Sequence, residues 1–71
     1  MPATKIRRGQ RVAHARHTSG LSQQQLATKI GVARSSVARV ELGISTPTLD
    51  LALALSRELG ESVESLFGGG R

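Results

Sequence analysis

Glycines at positions 20, 31, 43 and 60 punctuate this 71-residue chain, and the stretches between them hold only short helices. The first helix is expected from about Thr4 to Thr18, with Gly9 weakening its early turns, and it stops at Ser19-Gly20. A glycine there takes the left-handed conformation that ends a helix. Ser22-Gln23-Gln24-Gln25 reads as a capping box, in which the serine hydroxyl and the side chain of Gln25 each satisfy a backbone N–H at the helix start. Leu21 and Leu26 form its hydrophobic staple, and the second helix runs to Ile30 before turning at Gly31. A third helix, Arg34 to Leu42, follows two residues later and ends at Gly43. Thr48, after Pro47, caps a fourth that ends at Leu59 before Gly60. Ser62 to Phe67 supplies one or two final turns, and residues 68–71 are expected to form a flexible tail. No alternating apolar run, hairpin dipeptide or internal repeat is present. The expectation is an all-α, five-helix domain over residues 1–67.

A chain of this length buries only about 60% of the surface it exposes unfolded, so little stability is in reserve. With no cysteine, neither disulfides nor a thiolate metal site supplements the core. Apolar packing must hold it. No apolar run approaches the roughly 20 residues that cross a bilayer, and the N-terminus lacks a secretory pattern, so a soluble cytoplasmic protein is expected. The net charge of +5 is unevenly spread: residues 1–40 carry Lys5, Arg7, Arg8, Arg11, Arg16, Lys29, Arg34 and Arg39 without one acid. The remainder sets Glu41, Asp50, Glu58, Glu61 and Glu64 against Arg57 and Arg71. A cationic half suits a polyanion, because each Lys or Arg at a phosphate releases condensed counterions. A solvated basic surface gives the same composition. A membrane fits less well, since no basic helix face carries large apolar anchors.

Projection at about 100° per residue assigns faces. In the third helix Val37 and Val40 point inward, while Ser35, Ala38, Arg39 and Leu42 fall opposite and Arg34 flanks the first turn. The outward ridge is short, basic and lined by small side chains, dimensions that fit a major groove about 12 Å wide. Glu41 projects inward beside Val37, and Arg16 inward beside Val12 and Ala15 in the first helix. Opposite charges on two inward faces are expected to meet, because an unpaired buried charge is costly. The fourth helix is apolar nearly all round: Leu49, Ala52, Leu53, Ser56 and Leu59 share one side, and Leu51, Ala54 and Leu55 line much of the other. Two covers are open for the second stripe. Either the last helix folds over it with Val63, Leu66 and Phe67, or a second copy of the chain packs there, with Leu51, Leu55, Leu66 and Phe67 at the contact.

The run GLSQQQLATKIGVARSSVARVELG, Gly20 to Gly43, resembles the helix-turn-helix of the phage-repressor-like regulators, the Xre or Cro type. The likeness extends more weakly through TPTLDLALALSRELGESVESLF. Ala27 stands at the small position where two helices cross, Gly31 at the tight turn and Val37 at the apolar anchor of the recognition helix. The resemblance implies a lambda-repressor-like fold binding double-stranded DNA in the cytoplasm, on the nucleoid, as a homodimer. It places Arg34, Ser35 and Arg39 at base edges, with Ala33 and Ala38 near thymine methyl groups. It places Gln23 on a phosphate, joined by Ser22, Thr28, Arg11 and the loop residues Ser45 and Thr46, and it makes Arg16 and Glu41 an inter-helix ion pair. Two departures stand out: the loop carries Ile44 and Ser45 where many relatives are basic, and Ala33 replaces the usual hydroxyl N-cap. Arg7, Arg8 and Arg11 read equally well as a phosphate-contacting arm or a solvated face.

Other chemistry is poorly supported. His14 and His17 lack a third ligand, since no cysteine occurs and no acid precedes Glu41. Ser35-Ser36 has no base or oxyanion arrangement beside it. The resemblance then implies a repressor of transcription acting on a palindromic operator, and no catalysis, metal, cofactor or small-molecule ligand is expected. A module whose C-terminal surface takes a protein partner, as an antitoxin does, is the alternative.

Overall fold

In the computed structural model, residues 9–68 are described. They form α1 (Gln10–Thr18), α2 (Gln23–Ile30), α3 (Arg34–Glu41), α4 (Leu49–Leu59) and α5 (Val63–Phe67). Arg7 and Arg8, the expected turns from Thr4, and residues 69–71 of the expected tail lie outside the described residues. Among the described residues the first helix starts at Gln10, with Gly9 as N-cap.

Local chemistry sets the remaining boundaries. Ser22 Oγ accepts from the Gln25 backbone N–H at 3.0 Å, and Gln25 Oε1 accepts from the Ser22 N–H at 2.8 Å, completing the capping box. Gly31 closes α2 at φ 78°, which a residue with a Cβ adopts only under strain. α3 starts from Ala33 without a side-chain cap. α4 has one: Thr48 Oγ1 accepts from the Leu51 N–H at 3.1 Å. Thr48→Ala is therefore expected to lower stability by about 1 kcal/mol, read as a shifted urea midpoint at unchanged slope.

The core draws side chains from every helix. Val12, Leu26, Val37 and Leu55 are each no more than 1% exposed, and Ala27, Val40, Leu59 and Leu66 close around them. α2 packs on α3, α1 on α3, and α4 and α5 cover the other side of α1. α5 packs on α4 and α1, and of the second stripe of α4 Leu55 is buried while Leu51 and Ala54 are half-buried. Leu55 and Leu66, expected at a contact between copies, are consequently 0% and 2% exposed and have no surface to offer a second chain. Leu51 and Phe67 lie half-buried against the same core. The buried stripe of α4 is Ala52, Leu55 and Leu59, at intervals of three and four, which turns Leu49 outward at 71% exposure and Leu53 at 39%. Among the described residues no helix is long and apolar enough to cross a membrane.

Candidate nucleic-acid interface

α3 is held by one face and shown by the other. Val37 and Val40 are buried, whereas Arg34, Ser35 and Arg39 are exposed and Ala38 is half-buried between them. Eight residues make a rod about 12 Å long, and the small side chains at Ser35 and Ala38 bring its backbone close to any surface it meets. Ala33 is exposed just before the first turn. A shallow groove of about 320 Å³ runs beside α3, lined by Ser35, Ser36 and Arg39 on one bank and by Ser45, Thr46 and Thr48 on the other. The loop after α3 thus lies next to the exposed ridge.

Beneath the ridge is a buried ion pair. Arg16 Nε donates to Glu41 Oε2 at 2.6 Å and Arg16 Nη2 to Glu41 Oε1 at 3.1 Å. Both residues are 7% exposed. Arg16 Nη1 also donates to the Leu21 carbonyl at 2.9 Å, which ties α1 to the entry of α2. A desolvated pair holds together only when its remaining donors and acceptors are also satisfied, and no buried side-chain polar atom among the described residues lacks a partner. With its charge matched inside, Glu41 leaves Arg34 and Arg39 as an exposed cationic surface on α3.

Gln23 connects the pair to the surface. Its Nε2 donates to Glu41 Oε1 at 2.9 Å, and its Oε1 accepts from Arg34 Nη1 at 3.1 Å. The sequence marks Gln23 only by its place at the start of α2; helix projection treats each helix separately and gives no sign of a bridge between two. Thr28 is exposed on α2 and accepts from Gln24 Nε2 at 3.1 Å. Arg11 lines a second cavity, of about 430 Å³, with His14, Thr18, Glu61 and Ser65. Ser22 sits at the entry of α2 with its hydroxyl engaged in the cap.

Two helices joined by a left-handed glycine turn, the second presenting a basic ridge and the first crossing behind it, define a helix-turn-helix protein. The helix-turn-helix family model HTH_3 matches residues 13–66, and the chain belongs to that family of transcriptional regulators. An HTH-type transcriptional regulator of Archaeoglobus fulgidus is 35% identical over 57 residues, 80% of this chain and 81% of that one. Among solved structures, the restriction-modification controller protein C.AhdI from Aeromonas hydrophila superposes with a TM-score of 0.79 at 36% identity, over 93% of this chain and 100% of that one. A chain of the SinR protein/SinI protein complex gives 0.78 at 33% identity, over 83% of this chain and 58% of that one.

Proposed function

We propose that this regulator binds double-stranded DNA sequence-specifically as a homodimer and represses transcription from a palindromic operator. The reading is of a binding protein rather than an enzyme, acting in the cytoplasm on the nucleoid. Two copies set their α3 ridges in successive major grooves about 34 Å apart, because one small module buries too little surface for tight selective binding. Arg34 and Arg39 meet guanine N7 and O6, Ser35 adds a hydroxyl, and Ala33 and Ala38 approach thymine methyl groups. Gln23, Ser22, Ser45 and Thr46 lie against phosphates. For the contact between copies, Leu51 and Phe67 keep part of their surface, and Leu49 and Leu53 of α4 stand more exposed. The observation that carries the reading is the exposure of Arg34, Ser35 and Arg39 on a helix anchored by buried Val37 and Val40.

The test is selection of bound duplexes from a random pool, then titration of the best site and of random DNA. Arg39→Ala is expected to cost about 1–3 kcal/mol at the selected site and far less on random DNA. An equal loss on both would remove Arg39 from base recognition.

A second reading has the chain engage a partner protein. It is favoured by the exposed apolar side chains of Leu42, Ile44, Leu49 and Leu53, and by the likeness to a chain from a two-protein complex. Sedimentation of the purified chain with and without its selected duplex separates the two: a dimer on DNA supports the first, and DNA-independent recovery with one defined, sequenced partner supports the second.

A further inference from the structure

The cavity of about 430 Å³ is a cleft between α1 and the corner where α4 passes into α5, and its volume falls in the range of sites that take small molecules. Ala15, Leu59 and Leu66, none more than 9% exposed, give it an apolar floor. Arg11 and His14 stand on the α1 side, Glu61 and Ser65 on the other. Local pattern does not show the cleft, because its two walls come from opposite ends of the chain. Arg11 is the costly member. It occupies the first turn of α1, where the helix dipole disfavours a cation, and it is half-buried, so its guanidinium has given up part of its water. Among the described residues no side chain returns a hydrogen bond to it: Glu61 lines the same cleft with the opposite charge, yet the two do not pair. Glu61 is held in place instead. Its carbonyl accepts from Ser56 Oγ, and its Oε1 accepts from Ser65 Oγ at 3.0 Å, which leaves Oε2 open to a further donor. A lone anion in this cleft would meet Glu61, and a lone cation would meet Arg11. A molecule carrying both charges on an apolar body meets neither objection.

We propose that this cleft binds a small zwitterion with an apolar side chain, an amino acid or dipeptide in size. Its carboxylate accepts from the Arg11 guanidinium, with the ring N–H of His14 beside it; its ammonium donates to Glu61 Oε2; and its side chain covers Ala15, Leu59 and Leu66. Charge-assisted hydrogen bonds hold the two ends, and burial against the floor adds an apolar contribution. The site is separate from the DNA-binding reading, since none of its lining residues lines the groove beside α3.

The measurement is a titration of the full, ¹⁵N-labelled 71-residue protein with L-leucine and with L-leucyl-L-leucine, followed through its amide resonances by NMR. One or both probes should saturate with a Kd of roughly millimolar order, given how few atoms they carry. The shifts should cluster on residues 11–19 and 59–66. N-acetyl-L-leucine lacks the ammonium and L-leucinamide lacks the carboxylate, and each should bind at least about tenfold more weakly than L-leucine, the usual loss when a charged hydrogen bond goes unmade. Arg11→Met and Glu61→Gln, checked for helix content by circular dichroism, should weaken the unblocked probes by a similar factor. No saturable shift with either probe up to about 20 mM, far above the expected Kd, overturns the site, as do shifts centred outside the two segments. Blocked probes that bind as tightly as their parents overturn the zwitterion and leave an apolar crevice. Should either variant fail to fold, the blocked probes on the wild-type protein decide.

Discussion

Gly9→Ala is expected to destabilise the domain by about 3 kcal/mol or more, beyond the usual range for one added methyl in a packed interior. A Cβ built on Gly9 falls 1.7 Å from the Val40 carbonyl oxygen, 2.5 Å from its carbon and 2.6 Å from the Glu41 Cα. All three are backbone atoms of α3, so no rotamer change relieves the clash. The chain entering α1 has to move away from the end of α3, and Val12 and Arg16 move with it. Gly9 has φ −91°, a value open to any residue; the demand is for close approach, not for a left-handed backbone. Small domains hold about 5 kcal/mol in total, and for this size each kcal/mol shifts the melting temperature by roughly 4–8 °C. A fall of at least 12 °C in a thermal melt is the expected reading. A change under about 3 °C would show that the entry to α1 yields easily.

Gly9 also marks what the sequence conceals. Helix ends at Gly31 and Gly60, and the caps at Ser22, Thr48 and Ser62, depend on residues within a turn of each other, and they stand where local chemistry puts them. The inward pairing of Arg16 with Glu41 was legible because two helical projections each left one charge facing the core, with opposite signs. Gly9 instead answers to the backbone of residues 40 and 41, some thirty positions away, and local pattern reads it as a mere weakness in a helix. The α4 stripe failed for a related reason. Residues 51–55 are leucine or alanine at all five positions, so no polar side chain inside that run marks its outward face, and packing of α4 against α1, α2 and α5 leaves Ala52, Leu55 and Leu59 buried. The Gln23 bridge is hidden likewise, since it needs the relative placement of three helices.

Removing either partner of the buried pair is expected to cost about 3–5 kcal/mol, while replacing both with apolar side chains is expected to be nearly neutral. In Glu41→Ala, Arg16 keeps only the Leu21 carbonyl and the ring of His17, 3.4 Å from Nη2. In Arg16→Ala, Glu41 keeps only the Gln23 amide. Each single change therefore strands a desolvated charge, which costs far more than the net worth of the bond it broke. Arg16→Met with Glu41→Leu strands nothing and returns apolar volume to a site flanked by Val12, Val37 and Val40. Urea unfolding of the two single variants and the paired one forms a double-mutant cycle. The expected coupling is several kcal/mol in favour of the pair over its separated halves, with both single variants largely unfolded at 37 °C. Single variants that each lose less than about 1 kcal/mol would place the two charges in contact with water rather than inside the domain. The Lys29–Glu58 pair between α2 and α4 supplies the contrast: at 3.7 Å with the lysine side chain 53% exposed, it should contribute no more than about 1 kcal/mol. The same chemical attraction thus has opposite weight in the two places, because only at Arg16 and Glu41 has the protein excluded the solvent that would otherwise accept either charge.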